Sequence, residues 1–428
     1  MYSLLAACNI VRKTDDSAGR MKVFMSVLRN SRKIRYSYTL YQCSPSAVKA
    51  ALIILYGLKC YLSLAWQRDD GQQLVFFASY PNERHVLNHV RNNLGAIDHG
   101  EVTISLRHCL RLGAMAHIVV FVPASIRLYR YAKRLVRRHD FMPACRIFSA
   151  VTYYMRFKRL LAGSAAKAVF IANQYSPECL GLAAAAHQAG KKVLFTNHAN
   201  ATGETGYVAP LHADLVAVTG QALADVYRRH TSHELNIVPF PIASPQNPMR
   251  VPDRNAEGLV VGIYLTCLTD EARLQQVVAE FLQFPSIGAV FVRPHPVQVT
   301  RADLSAIAGR DGPVEISGTR PLREDIERTD IAVCGNSTVT IELLRGGRPV
   351  LYDHRLDQLV QDYNGYAGHG LVLPYRETLD ESFLDQIRQH YLSADWHEKM
   401  RYFDSSYEMD EPAMLQAFQE RVVNVVNS

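Results

Sequence analysis

Along this chain, short apolar runs alternate with longer stretches in which apolar positions recur every three or four residues. The short runs, bounded by turn residues, predict buried strands, and the longer ones predict helices. In the amino-terminal half the clearest strands are expected at 74–78, 168–172, 192–196 and 215–218. An Ala-rich crossover helix over 177–189 separates the second from the third and ends at Gly190. A second series follows: strand 259–265, helix 270–281, strand 289–292, a helix near 302–308 and strand 314–316. It closes with helix 321–328, strand 331–333, helix 337–345 and strand 350–352. Regular alternation of this kind predicts an α/β architecture with doubly wound parallel sheets.

Between the two series, residues 238–258 hold Pro239, Pro241, Pro245, Pro248 and Pro252 in a polar setting. Such a stretch reads as an interdomain linker. The expected division is a first domain over 1–240, a linker over 241–258 and a second domain over 259–428. A length of 428 residues suits two cores better than one. Two such domains facing one another leave a cleft for a ligand.

In parallel sheets, ligands bind beyond the carboxyl ends of the strands. At one such end stands Arg-Pro-His-Pro, 293–296. The prolines hold His295 in an extended loop, and Arg293 lies two residues away on the same strand face. At another stands Cys-Gly-Asn-Ser-Thr-Val-Thr-Ile-Glu, 334–342. Asn336, Ser337 and Thr338 offer amides and hydroxyls at the start of a helix, and Glu342 suits a ribose hydroxyl. Thr266, just past the first strand of the second domain, joins these as a candidate donor-binding residue. Strand 192–196 runs into Asn-His-Ala-Asn, which makes His198 a candidate general base. Asp69 and Asp70, in Arg-Asp-Asp-Gly, are rival bases, and Glu204 is a third.

Charge divides the chain in two. Residues 1–240 carry 30 Lys+Arg against 13 Asp+Glu, or +17, while residues 241–428 carry 17 against 27, or −10. The amino-terminal half is therefore expected to meet an anionic partner. The densest stretch, 127–160, holds ten Lys/Arg and one acid, with aromatics interleaved. Within it, Arg127, Arg130, Lys133, Arg134, Arg137 and Arg138 are the candidate acceptor- or membrane-facing residues. Residues 48–66 are the best candidate span, but Lys49, Lys59 and Gly57 interrupt them. The expectation is peripheral attachment to the inner face of a cytoplasmic membrane. Eight scattered cysteines without CxxC spacing fit a reducing, cytoplasmic setting. The first residues have the wrong charge order for a secretory signal. No P-loop, GxGxxG, HExxH, GxSxG or DxD motif occurs, and no recognisable nucleic-acid-binding module accompanies the basic stretch, so no nucleic-acid partner is expected.

The pair "R-P-H-P" and "G-N-S-T-V-x-I-E-L-L-x-G-G-R-P-V" resembles the nucleotide-binding domain of GT-B glycosyltransferases that build bacterial surface polysaccharides. In style it is similar to sialyl- and Kdo-type capsule transferases and to CDP-glycerol glycerophosphotransferases. The likeness covers residues 259–375. His198 is similar in position to the His of the glycerophosphotransferases' Trp-His-Gly motif, though neither neighbour matches. The resemblance implies two Rossmann-like domains and a metal-independent, inverting transfer with no cofactor. Its donor would be a nucleotide sugar, cytidine favoured over uridine. Its acceptor would be an anionic or lipid-linked saccharide of capsule or lipopolysaccharide. His295, Ser337 and Thr338 would replace a divalent cation at the leaving group. A glycerol- or ribitol-phosphate transferase, a sugar-nucleotide 2-epimerase and a non-catalytic membrane-surface scaffold remain as alternatives.

Overall fold

A computed structural model describes residues 39–428, except 42, 67–70, 96, 105–117, 140, 206–207, 209, 267, 297–303, 305–313, 358–360, 376–378 and 380–381. The first unit opens with helix α1 (Ser46–Ser63), strands β1 (Leu64–Trp66) and β2 (Leu74–Phe77), helix α2 (Pro81–Asn92) and strand β3 (His99–Ile104). Two long helices follow, α3 (Ile118–Arg138) and α4 (Phe141–Ala162). Then come β4 (Ala168–Ile171), α5 (Pro177–Gln188), β5 (Lys192–Thr196), β6 (Leu215–Val218), α6 (Gln221–His230) and β7 (Ile237–Pro239). The strands form a seven-stranded sheet in the order β1-β3-β2-β4-β5-β6-β7. Every neighbouring pair is parallel except β1 with β3.

The second unit runs β8 (Leu259–Tyr264), α7 (Glu271–Leu282), β9 (Ile287–Arg293), β10 (Val314–Ile316), α8 (Leu322–Arg328), β11 (Ile331–Cys334) and α9 (Val339–Arg345). It continues with β12 (Val350–Tyr352), β13 (Leu373–Pro374), α10 (Phe383–Tyr391), α11 (Trp396–Phe403) and α12 (Glu411–Asn427). Its sheet, all parallel, has the order β10-β9-β8-β11-β12-β13. Strand order reverses between β8 and β11, which opens the crevice where ligands bind in such sheets.

The doubly wound parallel architecture agrees with the apolar pattern of the chain. Strands β2, β4, β5 and β6 are buried throughout or nearly so, as sheets covered on both faces require. The crossover helix α5 ends as its residues dictate: Ser176 accepts the N–H of Cys179 at 3.2 Å, and Gly190 takes a φ of +70° beyond the last turn. Gly181 of that helix allows a close approach to α4; a Cβ there would meet the Tyr154 amide nitrogen at 2.7 Å. Four strands, β1, β3, β7 and β13, escape the pattern, and the helix expected near 302–308 falls mostly outside the described residues.

The expected second domain ran to residue 428, yet its last helix lies on the first sheet. Phe418, Val422 and Val426 of α12 are buried with Leu74, Phe76, Phe170, Leu194, Leu215 and Phe240. The stretch 240–258 is also more than a spacer. Arg345, fully buried, pairs with Asp404, donates to Ser406 Oγ at 2.9 Å and donates twice to the Ser244 carbonyl, at 3.0 and 2.6 Å. That carbonyl ties the linker to the second unit.

Removing one partner of a buried ion pair leaves the other charge uncompensated. Asp404→Ala should therefore lower stability by about 3–5 kcal/mol, seen as an earlier denaturant midpoint. Glu411→Ala, at the half-exposed start of α12, should shift it by less than about 0.5 kcal/mol.

Candidate functional site

A cleft of about 500 Å³ lies between the two units, at the carboxyl ends of both sheets. From the first unit it receives Asn82, His85 and Val86 of α2 and His198, Ala199 and Asn200 after β5. From the second it receives Arg293 to Pro296 after β9 and Ser337, Thr338, Val339 and Glu342 around the start of α9. Strand ends that are far apart in sequence thus bring His198, Arg293, His295, Ser337, Thr338 and Glu342 into one space.

The tautomer of His198 follows from its bonding. Nδ1 lies 2.9 Å from the Ala172 carbonyl oxygen. A carbonyl only accepts, so Nδ1 carries the proton and the neutral ring keeps its lone pair on Nε2. The ring is then set to take a proton from a hydroxyl, and the resulting imidazolium keeps its second N–H on Ala172.

His295 stands half-buried between its prolines at the end of β9. Burial pushes its imidazole below the usual range, so the neutral form dominates near pH 7. Glu342 behaves in the opposite sense: burial raises its carboxyl, and the neighbouring Arg293 charge partly counters the rise. A carboxyl so placed suits a hydroxyl-bearing ligand.

Arg293 reaches the cleft in a tethered state. Its Nη1 donates to the Arg320 carbonyl at 2.8 Å and pairs with Asp325. Asp325 is fully buried and also accepts from Ser317 Oγ and from Arg328 Nε, the latter at 3.0 Å. A carboxylate buried to that degree requires cations, so much of the Arg293 charge is already balanced.

The helix expected from Ser337 begins at Val339. Thr338 is its N-cap and makes no side-chain capping bond, while Ser337 Oγ accepts the Val339 N–H at 3.4 Å. Two expected donor-binding residues do not line the cleft. The Asn336 side chain donates to Asp357 at 3.1 Å and accepts from Tyr352 Oη at 3.0 Å and the Tyr363 amide at 2.7 Å, which makes it a strut beneath the site. Thr266 Oγ1 accepts the Leu268 amide at 3.3 Å within a turn. Among the rival bases, Asp69 and Asp70 lie outside the described residues. Glu204 pairs with His369 at 2.8 Å, away from the cleft. Arg127, Arg130, Lys133, Arg134, Arg137 and Arg138 sit on α3, and none of them lines the cleft.

Asn82 and His85 are cleft residues that sequence reasoning passed over. They follow β2 directly, and the strand-end rule applied to Leu74–Phe77 would have found them.

The loop after His198 is fastened to the opposite unit. Gly203 donates its amide to Asn364 Oδ1 at 3.2 Å, the Thr202 hydroxyl donates to the Asn364 carbonyl, and Tyr366 Oη donates to the Asn200 carbonyl at 2.5 Å. Gly203 has a φ of +59°, and a Cβ there would press on the Tyr363 hydroxyl at 2.8 Å.

No family model matches this chain, and no curated protein matches it. Solved structures do. A putative UDP-N-acetylglucosamine 2-epimerase from Listeria monocytogenes superposes with a TM-score of 0.51 at 10% identity, over 82% of this chain and 96% of that one. The S. aureus MnaA–UDP structure gives 0.49 at 8% identity, over 83% and 98%. The lipopolysaccharide outer core galactosyltransferase WaaB, in its apo form, gives 0.44 at 10% identity, over 82% and 99%. At such identities the likeness concerns architecture, and the architecture is the GT-B fold, with two Rossmann-like units facing a central cleft.

Proposed function

We propose that this protein is an inverting glycosyltransferase that moves a sugar from a nucleotide donor to a saccharide acceptor. What supports this reading is one cleft with an imidazole whose Nε2 is left as an acceptor on one wall, and a second imidazole, a guanidinium and two hydroxyls on the other. The acceptor hydroxyl gives its proton to His198 Nε2 and attacks the anomeric carbon. The bond from that carbon to the phosphate oxygen breaks, and the charge left on the phosphate is met by His295, Ser337 and Thr338, with Arg293 at their edge. Glu342 takes a ribose hydroxyl. The motif resemblance implies a transfer without a divalent cation, in which His295 takes up a proton as the phosphate binds. The motif resemblance favours a cytidine nucleotide and an acceptor of capsule or lipopolysaccharide type, as in the sialyl- and Kdo-type transferases.

The Listeria likeness favours a second reading, a sugar-nucleotide 2-epimerase. It consumes UDP-N-acetylglucosamine with no acceptor present, whereas the transferase releases nucleotide only when an acceptor is supplied. Calorimetry with CMP, CDP and UDP in the presence of a chelator comes first. Cytidine nucleotides should bind, and His295→Ala should weaken binding about 10- to 100-fold through loss of one charge-assisted hydrogen bond. A preference for UDP together with acceptor-free turnover would replace the transferase by the epimerase.

Affinity should also depend on pH. Burial lowers the free-state pKa of His295, and a bound phosphate raises it, so binding takes up a proton. Affinity then rises as pH falls through the bound-state pKa and levels off below the free-state one. The difference between wild type and His295→Ala isolates this effect from the phosphate's own titration. His198→Ala should leave nucleotide affinity unchanged and lower kcat by about 10²- to 10⁴-fold. An unchanged kcat would remove His198 as the base.

A further inference from the structure

We propose that the outer face of α1 and α3 docks on an anionic lipid bilayer. Helix α1 is, among the described residues, the one helix long and apolar enough to cross a membrane by length and composition, with a mean hydropathy of 1.3. It does not stand alone. Its Ala50, Ile53, Gly57, Cys60 and Tyr61 are buried, and a Cβ at Gly57 would overlap the Phe148 ring of α4 at 2.5 Å. The helix therefore lies lengthwise against its neighbours, with Ala50 and Ile53 in one cluster with Ala132 and Leu135 of α3.

Its other side carries apolar surface. Leu55 is 61% exposed, and Val48 and Tyr56 are exposed as well. Helix α3 adds Ile126, 70% exposed, and then a row of exposed guanidinium groups at Arg127, Arg130, Arg134, Arg137 and Arg138. Neither helix contains an acidic residue. Phe148, Tyr153 and Phe157 of α4, which accompany basic residues in the sequence, take no part, because they are buried. Most of the apolar component of the face comes from α1, more than sixty residues upstream of the Arg row's start, with Ile126 of α3 beside it.

Exposed apolar side chains on α1 and an exposed row of arginines on the helix packed against it match the boundary between acyl chains and anionic headgroups. A soluble polyanion would use the charges and leave Leu55 and Ile126 in water. A second copy of this chain would set one Arg row against another. This inference does not rest on the transfer reaction, and its test reads lipid binding alone.

The full chain is sedimented with phosphatidylcholine vesicles, pure or with about one-third phosphatidylglycerol. Binding is expected only to the mixed vesicles, with partial loss in high salt. Reversing Arg127, Arg130 and Arg134 to Glu should lower partitioning on the order of 100-fold or more. Leu55→Asp with Ile126→Asp should remove the binding that survives salt. Circular dichroism and unfolding midpoints establish that both variants fold. Equal binding to both vesicle types, or none to either, overturns the proposal. Loss on charge reversal with no effect of the apolar pair would make the face a polyanion site. A dimer turned monomer by Leu55→Asp would make it an interface between copies.

Discussion

Few groups in this molecule do as much as the Asn336 side chain. It grips Asp357 with its amide and receives Tyr352 and the backbone of Tyr363 on its oxygen. The next residue, Asn364, binds Thr202 and Gly203 of the first unit. Through two adjacent residues the floor beneath Ser337 and Thr338 is joined to the loop that leaves His198. A cleft between two domains is otherwise free to open by the soft motions of its linker. Here the two walls share hydrogen bonds, so the distance from His198 to Ser337 and Thr338 is set by short, directional contacts rather than by linker length.

Much of the fold was legible because parallel sheets buried on both faces demand continuous apolar runs, and those at 74–77, 168–171, 192–196 and 331–334 are unmistakable. The strands that escaped are the short ones at 64–66, 237–239 and 373–374 and β3, which opens on the polar His-Gly-Glu. Their pairing is decided by neighbours rather than by their own residues. The cleft was legible through one rule, that chemistry gathers at strand ends, and the rule placed His198, His295 and Ser337 near one another. It could not reveal that Asn336 turns downward to Asp357, or that Asp325, thirty-two residues after Arg293, holds its guanidinium. Partnerships of that kind depend on side-chain direction, which a one-dimensional pattern does not carry.

The electrostatics of the two units also take different forms. In the second unit acids and bases are matched in buried clusters around Asp325, Asp353 and Asp404. Those charges specify geometry and project little field. In α3 the cations face outward with no acid in their own helix, so their field extends to within a Debye length of the surface, about 8–10 Å at physiological salt. Net charge alone would not have told these arrangements apart.

Helix α12 lies against the first sheet although the rest of the second unit precedes it in the chain. During synthesis, β2, β4, β5 and β6 emerge and pair early, while the helix that covers Phe76, Phe170 and Leu194 is still unmade. Leu87 and Val90 of α2 cover part of that sheet face early, and the rest waits for residues 411–427, by which time the second unit has had the time of its own synthesis to form. The first domain to be made is thus the last to be completed. A folding order in which closure of the first sheet also fastens the two units together follows from the topology.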